Sequence, residues 1–337
     1  MDVASNKRVL VVSTSFGSTT PVPMQILERN GCEVVTKKGP HSEQEMIALI
    51  PEFAAVIVGI DPVTERVLCA GTDLKVAAKH GVGVDNIDVD ACTRHKVLVT
   101  NVPGANSDAV AEFTICVLMA MVRRLVPAVN SLAEGRWAGS RFIGLELSGR
   151  VLGVIGLGAI GQRVAKRAQA LGMRVIYTDV IRNPEFERSQ GVLYVPREQL
   201  LCESDFVTLH VPAIPETRDL IDSKALHLMK PSAYLLNLSR GEALNDEALI
   251  QALREHRIAG AALDAFRQEP LPRDHPFFSL DNILLTPHMA GYSREANERT
   301  SISAAEDVAR ILRGDAPLHS LNMSTLAKKS EIGATGG

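Results

Sequence analysis

Short apolar runs rich in Val, Ile and Leu alternate along this chain with longer stretches whose apolar residues recur at helical spacing. Such alternation is typical of parallel β-sheets covered by helices on both faces. About ten strands are predicted, whereas one sheet usually has roughly four to six. We therefore expect an α/β protein with two doubly wound parallel-sheet domains. The predicted strands are Val9–Val12, Ala54–Val58, Leu74–Ala78, Val97–Val99, Val151–Ile155, Val175–Tyr177, Phe206–Leu209, Tyr234–Leu238, Ala259–Leu263 and Ile283–Leu285.

The break between the two domains is predicted at a turn-rich stretch, 102–107, which precedes a long helix reaching about Arg124. A second helical pattern, Ser293–Leu312, ends at Gly314. If this late helix packs back on the first domain, that domain is discontinuous. The predicted bounds are 1–103 with 292–322 for a substrate domain, 104–291 for a cofactor domain, and 323–337 for a small, polar, disordered tail.

Composition and charge exclude several classes of protein. Of 337 residues, 46% are hydrophobic and 22% are charged, which argues against a largely disordered chain. Lys and Arg number 36 against 39 Asp and Glu, so there is no basic excess and nucleic acid is not expected as a partner. The most apolar helix candidate, 109–122, contains Glu112 and is shorter than a membrane span. With no signal-peptide pattern, a cytoplasmic location without a membrane partner is expected.

The five cysteines are scattered and never form a CxxC pair. This pattern fits reduced thiols packed as small hydrophobic side chains, and it indicates neither a disulfide framework nor a zinc site. We predict no bound metal. The cysteines are Cys32, Cys69, Cys92, Cys116 and Cys202.

A glycine-rich turn, Gly-Leu-Gly-Ala-Ile-Gly, directly follows the strand pattern Val151–Ile155 and precedes a predicted helix, Gln162–Leu171. Gly156 permits the tight turn, Gly158 leaves the backbone open to a pyrophosphate, and Gly161 lets the helix pack closely on the strand. The N–H groups and the dipole of the helix then face the phosphates. The motif predicts a dinucleotide cofactor in a Rossmann domain.

An acidic residue, Asp179, ends the next predicted strand, about 20 residues beyond the glycine turn. A carboxylate there hydrogen-bonds the hydroxyls of the adenosine ribose and repels a 2′-phosphate, which favours NAD over NADP. Arg182 lies three residues further on and is a candidate to weaken that preference. NAD is the expected cofactor.

Three polar residues follow apolar strands, at the end where parallel sheets present side chains to a ligand. Arg240 offers a planar fork suited to a carboxylate. His288 suits proton transfer near neutral pH, and Glu269 is placed to pair with it and favour its protonated form. Asp264 is the alternative carboxylate. We predict a catalytic group of Arg240, Glu269 and His288.

Two other histidines compete with His288 among the nine in the chain. His210 also follows a predicted strand, and His80 precedes Gly-Val-Gly. Without geometry, both are interpreted as structural or as neighbours of the cofactor.

Together these motifs resemble the D-isomer-specific 2-hydroxyacid dehydrogenases over roughly residues 7 to 315. The resemblance rests on the glycine turn, on Asn-Leu-Ser-Arg-Gly at 237–241, on Ala-Leu-Asp-Ala-Phe at 262–266 with Glu269, and on Thr-Pro-His-Met-Ala-Gly at 286–291. Within the family, Gly-Val-Gly-Val-Asp-Asn-Ile-Asp at 81–88 is most similar to the catalytic portion of D-3-phosphoglycerate dehydrogenases, without their added regulatory domain.

The resemblance implies a Rossmann cofactor domain inserted in a flavodoxin-like substrate domain, and a homodimer joined through the cofactor domains. It implies that hydride passes between nicotinamide and C2 of a D-2-hydroxy acid, that Arg240 binds the substrate, that His288 is the acid and base, and that Glu269 raises its basicity. The implied cofactor contacts are Gly156, Gly158, Ala159, Ile160, Gly161, Asp179, Val211, Leu238, Asp264 and Gly291, and the implied substrate contacts are Lys79, Val82, Gly83, Asn106 and Arg240.

One loop departs from the relatives that use phosphoglycerate, which often place an arginine after the strand equivalent to Ala55–Val58. Here Asp61 stands in that loop. Lys79, Arg141 and Arg66 are the candidates to supply a cation instead. The distal group of the substrate is therefore open, from a phosphate or phosphonate to an alkyl chain. Two alternative functions are an NAD(H)-sensing interaction protein of the corepressor type, and oxidation of a small inorganic or one-carbon anion.

Overall fold

The computed structural model describes residues 6–326, and the chain divides into two compact units. Unit 1 comprises Met1–Asn106 and Tyr292–Gly337, and unit 2 comprises Ser107–Gly291. The predicted domain bounds at 103/104 and 291/292 lie close to these limits. Of the predicted tail, residues 323–326 are helical, and 327–337 lie outside the described residues.

Unit 1 is built on a five-stranded parallel sheet with the strand order β2-β1-β3-β4-β5. Its central strand, β3, is buried along its whole length, as expected for a parallel sheet covered on both faces. The edge strand β2 was not predicted, because it starts and ends with exposed polar residues and its two valines are only half-buried. The strands are β1 Arg8–Val11, β2 Glu33–Thr36, β3 Ala55–Val58, β4 Val76–Lys79 and β5 Leu98–Thr100.

Helices cover both faces of this sheet, with separate apolar clusters on the two sides. The C-terminal helix α12 packs against α1, so the chain returns to unit 1 after leaving it at residue 106. Ser293 caps the start of α12 by accepting a hydrogen bond from the N–H of Ala296, and Gly314 ends it with φ of +92°. The helices of unit 1 are α1 Val22–Arg29, α2 Glu43–Leu49, α3 Glu65–Ala70, α4 Val89–Arg94 and α12 Arg294–Arg313.

Unit 2 is built on a seven-stranded parallel sheet with the order β12-β11-β10-β9-β6-β7-β8. The direction of winding reverses between β6 and β9, and ligands of such sheets bind beyond the carboxyl ends of the strands at this point. The strands are β6 Val151–Ile155, β7 Arg174–Thr178, β8 Leu193–Tyr194, β9 Phe206–Leu209, β10 Tyr234–Asn237, β11 Gly260–Leu263 and β12 Ile283–Leu285.

Alternate residues of these strands enter two apolar clusters, one on each face of the sheet. The expected α/β class with two parallel-sheet domains is therefore confirmed. Within residues 6–326 no helix combines the length and apolar character needed to cross a bilayer. The helices of unit 2 are α5 Ser107–Val122, α6 Leu125–Ala133, α7 Ala159–Ala170, α8 Pro184–Gln190, α9 Arg197–Glu203, α10 Ser223–Leu228 and α11 Asp246–Arg254.

Candidate active site

The glycine turn joins β6 to α7, and two of its glycines lie in close contact with backbone atoms. Gly156 has φ of +93°, and a Cβ there would lie 2.4 Å from the carbonyl oxygen of His210. A Cβ on Gly161 would lie 2.1 Å from the carbonyl oxygen of Gly156. Gly158, in contrast, has nothing within 4 Å of the corresponding position. The first and third glycines therefore serve close packing, and the second leaves the start of α7 open, which fits a bound pyrophosphate.

Asp179 lies beside this turn, immediately after β7. One carboxylate oxygen accepts a hydrogen bond from the N–H of Leu157 at 2.6 Å, and the other accepts one from the N–H of Ile181 at 3.1 Å. The carboxylate is half-buried, so part of it remains accessible. Its position next to the glycine turn fits the predicted contact with an adenosine ribose.

The remaining predicted cofactor contacts also gather at the carboxyl ends of the unit 2 strands. Val211 follows β9, and its side chain would lie 3.1 Å from a Cβ on Gly156. Leu238 is buried directly after β10. Ala159 and Ile160 open α7. Gly291 is the last residue of unit 2. These residues fit a dinucleotide on this edge of the sheet, and their contacts with it stay predictions.

Arg240 lies after β10 in a turn that Asn237 holds. The side-chain amide of Asn237 donates to the carbonyl oxygen of Arg240 at 2.9 Å, and its oxygen accepts from the hydroxyl of Ser239 at 2.8 Å. The guanidinium of Arg240 donates to the carbonyl oxygen of Ser239 at 2.8 Å. Asn237 is fully buried, and the sequence prediction did not assign it a role. A polar residue closing the apolar run Tyr234–Leu236 was the available signal.

His288 and Glu269 form a direct pair. The Nδ1 atom of His288 lies 2.7 Å from one carboxylate oxygen of Glu269 and 2.9 Å from the other. The N–H of Phe266 also donates to Glu269 at 2.9 Å. Among residues 6–326 the Nε2 atom of His288 has no hydrogen-bond partner. With Nδ1 engaged, Nε2 is the atom that can exchange a proton with a substrate.

The environment keeps Glu269 ionised. Burial acts to raise its pKa, but hydrogen bonds from His288 and from the N–H of Phe266 outweigh burial, with help from the positive charges of His288 and Arg240. The pKa of Glu269 therefore lies below its usual value. The carboxylate stays charged across the range in which an imidazole titrates. The structure thus selects Glu269, rather than Asp264, as the partner of the histidine.

Asp264 instead holds the loop that carries His288. This buried carboxylate accepts hydrogen bonds from the hydroxyl of Thr286 at 2.6 Å, the N–H of Met289 at 2.9 Å and the N–H of Ala290 at 2.8 Å. His288 has φ of +50°, a conformation that costs a non-glycine residue about 1–3 kcal/mol. The bonds to Asp264 on both sides of His288 hold it there. Its predicted cofactor contact stays a prediction.

The order of strands explains why these side chains meet. Strands β10, β11 and β12 are neighbours in the sheet and all parallel, so their carboxyl ends lie at one edge. Arg240 follows the first of them, Glu269 the second and His288 the third. The sheet thus places the guanidinium of Arg240 and the hydrogen-bonded imidazole of His288 on the same edge as the glycine turn.

Comparison with known proteins agrees with this geometry. A family model, described as the NAD binding domain of D-isomer specific 2-hydroxyacid dehydrogenases, matches residues 115–290. A glyoxylate reductase of Korarchaeum cryptofilum is 40% identical, with 86% of this chain and 89% of the relative covered. The chain belongs to the D-isomer specific 2-hydroxyacid dehydrogenases. The predicted family, the NAD cofactor and the assignment as an NAD-dependent enzyme are thereby confirmed.

Other similar proteins carry different substrate names. A D-3-phosphoglycerate dehydrogenase of Methanocaldococcus jannaschii is 40% identical over 91% of this chain, which spans only 58% of that relative. The TT0316 protein of Thermus thermophilus superposes with a TM-score of 0.86 at 36% identity, covering 93% of this chain and 99% of that one. A D-lactate dehydrogenase of Aquifex aeolicus, solved with NAD and lactic acid, gives 0.80 at 28% identity, with 91% and 96% covered.

The two rival histidines of the dehydrogenase have other environments. Burial lowers the pKa of His210 to about 3, and its Nε2 lies 3.1 Å from the hydroxyl of Thr208. His80, in unit 1, contacts the hydroxyls of Ser13 at 3.0 Å and Ser301 at 2.8 Å through its two ring nitrogens. Burial and the charge of Lys79 lower its pKa to about 4. Both imidazoles are therefore neutral near pH 7, which fits their interpretation as structural.

The predicted substrate contacts of unit 1 are Lys79, the last residue of β4, two residues of the loop after it, and Asn106 at the end of the first segment of unit 1. The Nζ atom of Lys79 donates to the carbonyl oxygen of Gly59 at 2.5 Å and to Asn86 at 2.6 Å. Val82 is exposed, and its carbonyl oxygen accepts from Asn101 at 2.7 Å. Two further predicted contacts are Gly83, in the same loop as Val82, and Asn106, whose buried side-chain oxygen has no partner among the described residues. Their contact with substrate stays a prediction.

One cluster of potential metal ligands occurs within the described residues of the dehydrogenase. Glu65, Cys69 and His95 lie together at the surface of unit 1. The carboxylate of Glu65 is already bonded by His95 at 2.5 Å and by Arg94. This neutralised, exposed cluster belongs to no predicted site, and the prediction of no bound metal stands as a prediction.

Proposed function

We propose that the dehydrogenase interconverts a D-2-hydroxy acid and its 2-oxo acid, with Arg240 binding the substrate carboxylate and carbonyl and His288 as the acid and base. The pairing of His288 with Glu269, on the same sheet edge as Arg240 and the glycine turn, carries this proposal. Bound NAD supplies the hydride acceptor for the oxidation. The residues of the chain orient the substrate, hold its charge and move its proton.

The proton step follows from the tautomer of His288. Because Nδ1 is bonded to Glu269, Nε2 accepts the proton of the 2-hydroxyl group as the alcohol is oxidised. The resulting imidazolium is stabilised by the carboxylate of Glu269. In the reverse direction the imidazolium returns that proton to the carbonyl oxygen. The guanidinium of Arg240 polarises this carbonyl and fixes the carboxylate.

Removing the charge of Glu269 tests this arrangement. In Glu269→Gln the imidazolium loses its ionic partner, so we expect kcat for reduction to fall about tenfold at neutral pH. Reduction requires the protonated ring, so the decline of activity with rising pH should begin at lower pH. The measurement is the pH profile of kcat/KM for reduction, with Glu255→Gln, an exposed acid, as control. An unchanged profile, or one displaced to higher pH, would contradict the role of Glu269.

The contacts in unit 1 favour a substrate with a small distal group rather than a phosphate. Asp61 is buried, and its carboxylate accepts from the N–H of His41 at 2.8 Å while lying 3.0 Å from its Nδ1. Arg66 pairs with Glu43 at 2.6 Å. Two of the cations considered for a phosphate, Arg66 and Lys79, thus already have anionic or carbonyl partners. The third candidate cation, Arg141, belongs to unit 2 and not to the unit that contains Asp61.

A panel of 2-oxo acids tests the substrate class. We expect kcat/KM for NADH-dependent reduction to be at least about tenfold higher for glyoxylate than for the 2-oxo acid formed from 3-phosphoglycerate, a difference of about 1.4 kcal/mol. The reverse order would assign the enzyme to phosphorylated substrates. The two alternatives, an NAD(H)-sensing interaction protein and oxidation of a small inorganic or one-carbon anion, stay predictions from the sequence. The cytoplasmic location stays a prediction.

Unit 2 has an apolar face suited to a second copy of the chain. Helix α6 exposes Leu125, Val129 and Leu132 by 54%, 57% and 58%, and Trp137 after it is 91% exposed. Contiguous apolar surface of this kind marks an interaction site. We therefore propose a homodimer that covers α6, through the cofactor domain.

Charges on α6 are expected to separate the dimer. In the double variant Leu125→Asp with Leu132→Asp, two carboxylates would have to be buried, so the dimer dissociation constant should rise by about a hundredfold or more. Sedimentation velocity over a range of concentrations measures it. Phe278→Asp, which changes an equally exposed apolar residue elsewhere in unit 2, is the control. A double variant that stays dimeric would rule out α6 as the interface.

A further inference from the structure

The loop after β7 contains Arg182, whose guanidinium forms two hydrogen bonds with one carboxylate, that of Glu187. The Nε and Nη2 atoms of Arg182 donate to the two carboxylate oxygens of Glu187 at 2.8 and 2.7 Å. The hydroxyl of Tyr177 donates to the same carboxylate at 2.7 Å, and in turn accepts from the N–H of Asn183 at 2.9 Å. The guanidinium also lies 5.4 Å from the ring centre of Tyr194. Arg182 is therefore held by the carboxylate of Glu187 and lies over the ring of Tyr194, with 59% of its side chain exposed.

This ion pair differs from most surface pairs of the chain. The side chain of Glu187 is only 12% exposed, and the contact with Arg182 uses two parallel hydrogen bonds, the strongest geometry for this pair of groups. Hydrogen bonds from Arg182 and Tyr177 lower the pKa of Glu187 to about 2. The carboxylate is consequently charged near neutral pH, so the pair does not open by protonation there.

The location of the pair connects it with cofactor choice. Arg182 is the only cationic residue of the segment 179–183 and follows Asp179 by three positions. An arginine near the ribose-binding acid is the group that accommodates the 2′-phosphate of NADP. Between the two residues, Val180 and Ile181 are exposed and offer no charge. Within this segment, only Arg182 can therefore compensate the charge of a 2′-phosphate.

We propose that Glu187 is a specificity-determining residue that excludes NADP by holding Arg182. Selectivity for NAD then has two parts: the negative charge of Asp179 repels the 2′-phosphate, and Glu187 withholds the only cation of the segment 179–183. The proposal rests on NAD as the cofactor and on the predicted placement of its adenosine ribose at Asp179. Glu187 acts through Arg182, so it is a positioning residue.

A set of variants separates the two parts through the ratio of kcat/KM for NADP to that for NAD. Asp179→Ser is expected to raise this ratio about tenfold or more, because the repulsion is lost. Adding Glu187→Gln should raise it at least about fivefold further, because Arg182 is released. Adding Arg182→Ala to that double variant should abolish the second gain. Glu203→Gln, which breaks the pair with Arg174 at the other end of β7, is the matched control and should leave the ratio within twofold.

The outcomes are distinct. A gain from Glu187→Gln that survives Arg182→Ala, or no gain on the Asp179→Ser background, overturns the proposal while the ribose placement stands. No response to Asp179→Ser overturns the placement, and the proposal with it. If Glu187→Gln does not fold, Arg182→Ala on the Asp179→Ser background still tests whether Glu187 holds Arg182. It should change kcat/KM for NADP less than twofold if Glu187 holds the arginine, and a fall of fivefold or more would overturn the proposal.

Discussion

Replacement of His288 by alanine is expected to lower kcat about a hundredfold or more, because general acid and base catalysis contributes factors of about 10² to 10⁴. Affinity for NADH should change little. The predicted contacts with the pyrophosphate and the adenosine ribose lie at the glycine turn and at Asp179, whereas His288 contacts Glu269. Single-turnover kinetics would give the rate of the chemical step, and a fluorescence titration with NADH would give the affinity.

An exposed histidine provides the matched control for this experiment. His227→Ala, at an exposed position of α10 that belongs to no predicted site, should retain full turnover. If His288→Ala weakened NADH binding as much as it slowed turnover, the histidine would belong to the cofactor site. Unaltered turnover would remove it from the mechanism.

The change Arg240→Lys is expected to produce the second largest loss. A lysine keeps the charge but cannot form two parallel hydrogen bonds with a carboxylate or bind a carbonyl in the same plane. Loss of one charge-assisted hydrogen bond costs about 1.5–3 kcal/mol, so kcat/KM should fall by about 10- to 150-fold. Because the fork also polarises the carbonyl, kcat should fall along with a rise in KM.

Steady-state kinetics with the preferred 2-oxo acid measure both kcat and KM. Arg254→Lys, an exposed arginine on α11, makes the same chemical change away from the site and should have no effect. An increase in KM alone would limit Arg240 to ground-state binding. Kinetics equal to those of the wild type would exclude it from the site.

The buried strands were predictable because the apolar run that indicates each of them is a local feature of the sequence. Strands β6, β9 and β12 match their predicted bounds, since continuous apolar runs of that length are typical of parallel sheets. Strands β2 and β8 were missed, because both lie at sheet edges and β8 has only two residues. Helix α7 begins at Ala159 rather than at the predicted Gln162, because Gly161, a poor helix former, lies inside its first turn.

The site was predictable as far as it depends on strand ends. Arg240, Glu269 and His288 each follow a strand. Because these strands are parallel neighbours in one sheet, their carboxyl ends bring the three residues to the same edge. The hydrogen bonds that the loop of His288 donates to Asp264, and those that Arg182 donates to Glu187, were not predictable in the same way. They depend on which atoms meet after folding, and one sequence gives no such distances. From the sequence, Asp264 was a candidate partner of the histidine. In the structure it holds the loop of His288 by accepting hydrogen bonds from that loop.

The left-handed backbone at residue 288 bears on the choice of an inactive enzyme for trapping a ternary complex. Alanine resists positive φ, whereas asparagine adopts it several times more often than other residues with a Cβ. An asparagine there would also keep a polar group facing Glu269. For crystals grown with hydroxy acid and dinucleotide together, His288→Asn is therefore the substrate-trapping variant of choice, because it should silence the chemistry without relaxing the loop.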